Sequence, residues 1–224
     1  MWNITSSSGP NRDAALAQYR HRAGIYDLEL VLFEPIRQLV INSLALLPGD
    51  TVLDVGCGTG LSFERLQQDI GPGGRIIGIE QCPEMLGLAQ KRVEQQGWTN
   101  VTLIGESVEA ADISVTADAA LFHFTHDILR SAPAVANVVR HLKPGGRVAA
   151  AGIQWASAWA WPVNWLVLPI ALHSISSLEG LEKPWNLLEP LLQEPEVQTL
   201  GAGSIYIVSG ELAPPKHVVH VLHS

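Results

Sequence analysis

The chain has 224 residues, 47% of them hydrophobic and 16% charged, with a formal net charge of −8. That length suits one domain with a modest insertion. The negative charge, carried without any Lys/Arg block, argues against a nucleic-acid partner, because binding a polyphosphate needs a positive surface field. Two cysteines, Cys57 and Cys82, are too few for a disulfide framework.

In chain order, Asp13 to Arg22 is spaced as a helix, and Leu28 to Leu47 carries a second apolar helical face that Pro35 either kinks or restarts. Pro48-Gly49-Asp50 is a turn. Thr51 to Val55 reads as a short strand, Gly56 to Gly60 as a glycine-rich loop, and Leu61 to Ile70 as a helix. Gly71 to Gly74 turns into a second strand, Arg75 to Ile79, which ends at Glu80. A helix over Pro83 to Gln96 has its proline in the first turn. Val101 to Ile104 and Ala117 to Phe122 are strands three and four, and Pro133 to His141 is helical. A tight turn, Lys143 to Gly146, leads into strand five, Arg147 to Ile153.

Gln154 to Glu194 is irregular and holds Trp155, Trp159, Trp161, Trp165 and Trp185; it reads as an insertion capping the sheet. Two closing strands, Glu196 to Leu200 and Ser204 to Ser209, fit an antiparallel edge on a parallel sheet. The run Val148 to Leu172 is apolar but interrupted by Gln154, Pro162, Asn164 and Pro169, whereas a membrane span prefers about 20 unbroken apolar residues. The N-terminal stretch lacks a basic region followed by an apolar one, so no secretory signal is expected and the chain is expected to be cytoplasmic.

Alternating strands and helices predict a doubly wound α/β sheet with a ligand site at the strand C-termini. The strongest local signal is Val52-Leu53-Asp54-Val55-Gly56-Cys57-Gly58-Thr59-Gly60. Closely spaced glycines after a strand let the backbone turn sharply and approach a ligand. Their GxGxG spacing falls short of the dinucleotide fingerprint GxGxxG. A carboxylate inside the strand, Asp54, is awkward beside phosphate but suits an ammonium group. Glu80, at the end of the second strand, can accept both hydroxyls of a ribose.

This sequence resembles the class I S-adenosylmethionine-dependent methyltransferase family, in the small-molecule branch that includes quinone-biosynthesis and phospholipid methyltransferases. The resemblance runs from Pro48 to Ile153 and rests on VLDVGCGTG, Glu80, Gly105-Glu106-Ser107, Asp118 and the Pro144-Gly145-Gly146 turn. It implies a Rossmann-like, mostly parallel seven-stranded sheet with an antiparallel C-terminal strand pair and the Trp-rich insertion after strand five. It also implies S-adenosyl-L-methionine as cofactor. Gly56, Cys57, Gly58 and Gly60 would line it, Asp54 would hold its methionine end and Glu80 its ribose. Gln81, Met85, Glu106 and Ser107 would flank the adenosine, and Phe122 would also contact the cofactor. In that branch a Tyr-Asp pair before the first motif closes over the cofactor, here Tyr26-Asp27. The implied organisation is N-terminal helices over residues 1–47 covering the site and a core over 48–211. Residues 154–194 would form a substrate cap and 212–224 a flexible tail.

The end of strand four, Phe122-His123-Phe124-Thr125-His126-Asp127, would face the activated methyl group. His123 and His126 are candidate bases with Asp127 as an orienting carboxylate, since imidazole can take a proton near neutral pH. Pocket lining by the histidines and helix capping by Asp127 are the plainer roles. No metal is expected. The tail residues His217, His220 and His223 read as a solvated terminus. The expected reaction is methyl transfer to oxygen or nitrogen of a small, largely apolar metabolite, with tryptophans in the cap offering apolar surface. Phospholipid N-methylation at a membrane surface is the nearest alternative, and a non-methylating cofactor-binding protein or cyclase is the other. Peripheral membrane contact and a homodimer through the cap stay open.

Overall fold

The computed structural model describes residues 33–155 and 180–214. Its strands are β1 (Thr51–Val55), β2 (Arg75–Ile79), β3 (Val101–Ile104), β4 (Ala117–His123), β5 (Leu142–Ile153), β6 (Leu192–Leu200) and β7 (Ile205–Leu212). Helices α1 (Glu34–Asn42), α2 (Phe63–Ile70), α3 (Pro83–Gln96), α4 (His126–Leu129) and α5 (Ala132–Val139) accompany them.

The seven strands form one sheet in the order β3-β2-β1-β4-β5-β7-β6. The pairs from β3 to β5 are parallel, and β7 runs antiparallel to both β5 and β6. The chain winds outward from β1 to β3, then returns to place β4 on the other side of β1. Connections therefore leave β1 and β4 in opposite directions, and the crevice between their C-terminal ends is where such sheets hold ligands.

The strands are apolar on both faces because helices or coil cover both. Alternation along the pleat sorts them into two cores. Leu53, Val55, Ile77, Ile79, Ala120, Phe122, Val148 and Val208 face α5 and the segment Trp185 to Leu192. Val52, Ile76, Ala119, Leu121, Ala149 and Ile207 face α1, α2 and α3 through Val40, Ile41, Phe63, Leu66, Ile70, Ala89 and Val93. This second face also receives Asp54 and His123, which stand two residues beyond Val52 and Leu121 on their strands.

Within the described residues the expected elements appear with informative shifts, and the expected helix Asp13 to Arg22 lies outside them. Pro35 sits in the first turn of α1, so it starts that helix and does not kink it. Gly97 ends α3 in the left-handed conformation (φ 66°). α2 begins at Phe63 and not at Leu61, because Gly60 and Phe63 are held in successive turns of the glycine loop. The expected tight turn Lys143 to Gly146 lies within β5. Leu142 already pairs with Ala117, and a register irregularity between Ala117 and Ala119 absorbs the extra residues. β6 starts at Leu192, inside the expected cap, and bulges between Gln193 and Glu196. Among the described residues, no helix is long and apolar enough to cross a membrane.

Candidate functional site

At the β1/β4 switch point a cavity is lined by Arg37, Asp54, Gly56, Cys57, Gly58, Thr59, Leu61, Ser62, His123 and Phe124. The sheet contributes Asp54 and His123 to the face that α1 covers, and α1 brings Arg37 down onto them. Arg37 is 3% exposed and pairs with Glu34 one turn earlier, while its Nε finds no hydrogen-bond partner. Asp54 is 1% exposed, and its Oδ2 is likewise buried without a partner. Burial raises the Asp54 carboxyl to about pH 7, with Glu80 adding to the rise and the Arg37 guanidinium opposing it. His123 is half-buried as a residue, yet its Nε2 is shielded and unpartnered. Burial, assisted by Arg37, lowers its imidazole to about 3, so the ring is neutral at physiological pH.

Why the loop needs glycines is visible residue by residue. Gly56 has φ +70°, and a Cβ there would stand 2.6 Å from the Thr125 methyl and 2.8 Å from Ile128. A side chain at Gly56 would thus push the β4–α4 turn off the loop. Gly60 has φ +76°, and a Cβ would collide with the Phe63 ring at 2.6 Å. Glu80 ties the loop to the next unit: Oε2 accepts from the Gly58 amide at 3.1 Å and Oε1 from the Cys82 amide at 2.7 Å. A carboxylate has about four acceptor positions, so these amides, with that of Gln81, leave room for a hydroxyl donor. Burial raises the Glu80 carboxyl, and these backbone amides oppose the rise.

Five residues expected from sequence meet at the cavity: Asp54, Gly56, Cys57, Gly58 and His123. Burial holds the Cys57 thiol well above its ordinary range, and its sulfur packs against Gly78. Phe122 points away: it is fully buried in the opposite core, because its neighbours on the strand, Leu121 and His123, own the cavity side. Gly60, Glu80, Gln81, Met85, Glu106 and Ser107 lie off this cavity along the ends of β1 to β3. Met85 is buried at 2%, Ser107 accepts the amides of Ala110 and Ala111 through its carbonyl, and Glu106 is exposed. His126 and Asp127 occupy α4 and do not line the cavity. Asp127 is no cap either; Ser131 caps α5 by accepting from the Ala134 amide. Trp185 is core, its ring 4.6 Å from that of Tyr206 on the far face of the sheet. Tyr26, Asp27, Trp159, Trp161, Trp165 and the tail histidines lie outside the described residues.

Arg37 and Phe124 stand out among the cavity residues that no motif announces. Arg37 sits on an amphipathic helix where arginine is ordinarily a surface residue; only its proximity to Pro35 and its place on the Val40/Ile41 face hint at burial. Phe124 adopts φ +58°, unusual for a bulky residue, with its amide held by the Ala151 carbonyl at 2.8 Å.

The donor set fits S-adenosylmethionine. An amino-acid end carries an ammonium and a carboxylate, and the cavity offers an orphaned buried carboxylate oxygen and an orphaned guanidinium N–H. Buried polar groups require partners, and a zwitterion satisfies both at once.

The chain matches the family described as methyltransferase domain over residues 52–146. It is 32% identical over 160 residues to an uncharacterized methyltransferase of Synechocystis, covering 69% of this chain and 68% of that one. It is 36% identical over 112 residues to an arsenite methyltransferase of Halobacterium salinarum, covering 47% of this chain and 27% of that one. The chain spans 27 to 48% of the length of several such curated relatives. Among solved structures, the [4+2]-cyclase SpnF superposes with a TM-score of 0.60 at 18% identity over 80% of each chain, a likeness of fold.

Proposed function

The chain belongs to the class I S-adenosylmethionine-dependent methyltransferase family, and from that premise we propose that it transfers the cofactor's methyl group to an oxygen or nitrogen of a small, largely apolar molecule. The observation that carries this reading is the meeting of an unpartnered acceptor and an unpartnered donor, Asp54 Oδ2 and Arg37 Nε, on one cavity at the switch point. Asp54 would hold the ammonium, Arg37 the carboxylate and Glu80 the ribose hydroxyls. When bound, the cofactor supplies an electrophilic methyl on a sulfonium, which needs no metal to activate it. The protein's part is alignment and exclusion of water: α1 closes the cavity from above, and the β4–α4 turn seals it against Gly56.

The test has two arms. Titration calorimetry with S-adenosylmethionine measures the site, and transfer of an isotopically labelled methyl group to small molecules extracted from the source cells measures the reaction. Micromolar binding with a labelled apolar product supports the proposal. Binding with no labelled product from any extract or lipid fraction would favour a non-methylating enzyme, the reading that the fold shared with the cyclase keeps in view.

A further inference from the structure

Beyond the cofactor's place, the same site carries information about the acceptor; the inference rests on the methyltransferase reading and deepens it. Three aromatic rings meet at the end of β4. The Phe124 ring lies edge-on to His123, with centroids 4.7 Å apart and planes at 82°, and to Phe33 at 4.9 Å and 63°. Phe33 belongs to the residue before α1, so this wall joins the sheet to the covering helix. Phe124 is held there by a backbone with φ +58°, which side chains rarely adopt and which persists only where surroundings enforce it. The enforcing contacts are its amide bond to Ala151 and the adjoining Thr125, packed onto Gly56.

Beside that wall, His123 Nε2 is buried without a hydrogen bond, on the same cavity as Asp54. Asp54 and Arg37 account for the two charges of the cofactor's amino-acid end. The imidazole nitrogen is left over, beside the Phe124 ring. A neutral imidazole with its proton on Nδ1 offers one acceptor there.

We propose that His123, Phe124 and Phe33 form the seat of a planar, hydroxyl-bearing acceptor, a phenol or enol, whose O–H is donated to His123 Nε2 while its ring lies against Phe124. The transfer balances as follows. An oxygen lone pair forms the new C–O bond while the C–S bond breaks, its electron pair staying on sulfur, which becomes a neutral thioether. The hydroxyl proton passes to His123 Nε2 as the C–O bond forms and leaves to water with the product. Because burial and Arg37 keep His123 a weak base, the proton does not move beforehand. The ring preference follows from edge-to-face contacts, which add to plain burial.

The experiment uses the full chain loaded with S-adenosylhomocysteine and three probes of matched size: 2-naphthol, its fully saturated alcohol decahydro-2-naphthol, and 2-methoxynaphthalene. Calorimetry should give 2-naphthol at least a tenfold tighter Kd than either of the others. Phe124→Leu, which keeps most of the packing volume, should collapse the preference for the unsaturated ring to within about threefold. His123→Leu should remove the preference for the free hydroxyl, and His123→Gln, which retains an acceptor oxygen, should restore part of it. A urea unfolding midpoint matching that of the parent chain certifies the fold of each variant. With saturating cofactor, any inflection of kcat for 2-naphthol between pH 5 and 8 should come from Asp54, on the same cavity, and persist in His123→Gln. Equal binding of the three probes, an unaltered preference in Phe124→Leu, or a kcat inflection near pH 6.5 that vanishes in His123→Gln would overturn the acceptor seat while leaving methyl transfer standing. Absence of cofactor binding would overturn both.

Discussion

The two faces of the central sheet are built from the same strands and do opposite things. On the α5 side the layer is almost wholly apolar: Trp185 lies on Tyr206, Leu188, Leu191 and Leu192 close it, and the one polar side chain of α5 that is buried there, Asn137, donates to the Val108 and Ala111 carbonyls. On the α1 side the layer is as apolar under α2 and α3, but at the end of β1 and β4 it gathers Asp54, Arg37 and His123 with three polar atoms unsatisfied. A protein can carry such a cluster only if the rest of the core stabilises it, since each buried orphan costs about 1–3 kcal/mol. The closed face supplies stability, and the open one spends part of it on a site.

Several experiments would break or sharpen that contrast. The largest expected effect is on the closed face. Trp185→Ala should lower the unfolding free energy by about 3–5 kcal/mol in urea titration while leaving cofactor affinity within twofold. A loss of affinity comparable to the loss of stability would mean the faces are not separable. Next, Asp54→Asn should weaken S-adenosylmethionine binding by roughly 10- to 100-fold, the worth of a hydrogen bond to a charged group, without lowering stability at neutral pH. If stability fell instead, Asp54 would be a structural residue.

A third test uses proton linkage. Asp54 has a folded pKa raised from 3.8 to about 7, so between those values the unfolded state is ionised and the native state is not; its contribution to stability falls as pH rises. His123 has a folded pKa lowered from 6.5 to about 3, so the unfolded state binds the proton and stability rises with pH across that window. From about pH 4 to 6.5 the two slopes oppose each other at about 1.4 kcal/mol per pH unit each. Removing one should expose the other. Relative to the parent chain, Asp54→Asn should gain stability with rising pH over this range, and His123→Gln should lose it. Parallel curves for all three proteins would show that the pair is not buried as described. The smallest effect is at the Ser131 cap, where Ser131→Ala should cost about 1 kcal/mol and leave the site untouched.

Much of this was legible in the residues. VLDVGCGTG put a glycine loop after β1 because no other residue type tolerates the positive φ at Gly56 and Gly60 together with the close approach of Thr125 and Phe63. The same short-range logic placed Pro83 in the first turn of α3 and Glu80 at the end of β2. Sequence reasoning erred where the outcome depended on which side of a strand faces what. Phe122 was expected in the site, yet pleating turns its side chain into the opposite core and leaves the cavity side to His123, while Phe124 reaches the cavity from the turn beyond the strand. Trp185 was expected in a substrate cap, yet it packs against Tyr206 from β7, a partner 21 positions along the chain.

What the sequence determined by itself is therefore local: strand and helix order, the turns that only glycine and proline can make, and the carboxylates at strand ends. Those features follow from steric and hydrogen-bonding preferences within a few residues. Arg37 belongs to the other class. Its burial, its meeting with Asp54 and His123, and the strained seat of Phe124 exist because α1 packs over β4, β5 and β7 and brings Arg37 to the ends of β1 and β4. Only the assembled sheet can desolvate those groups together.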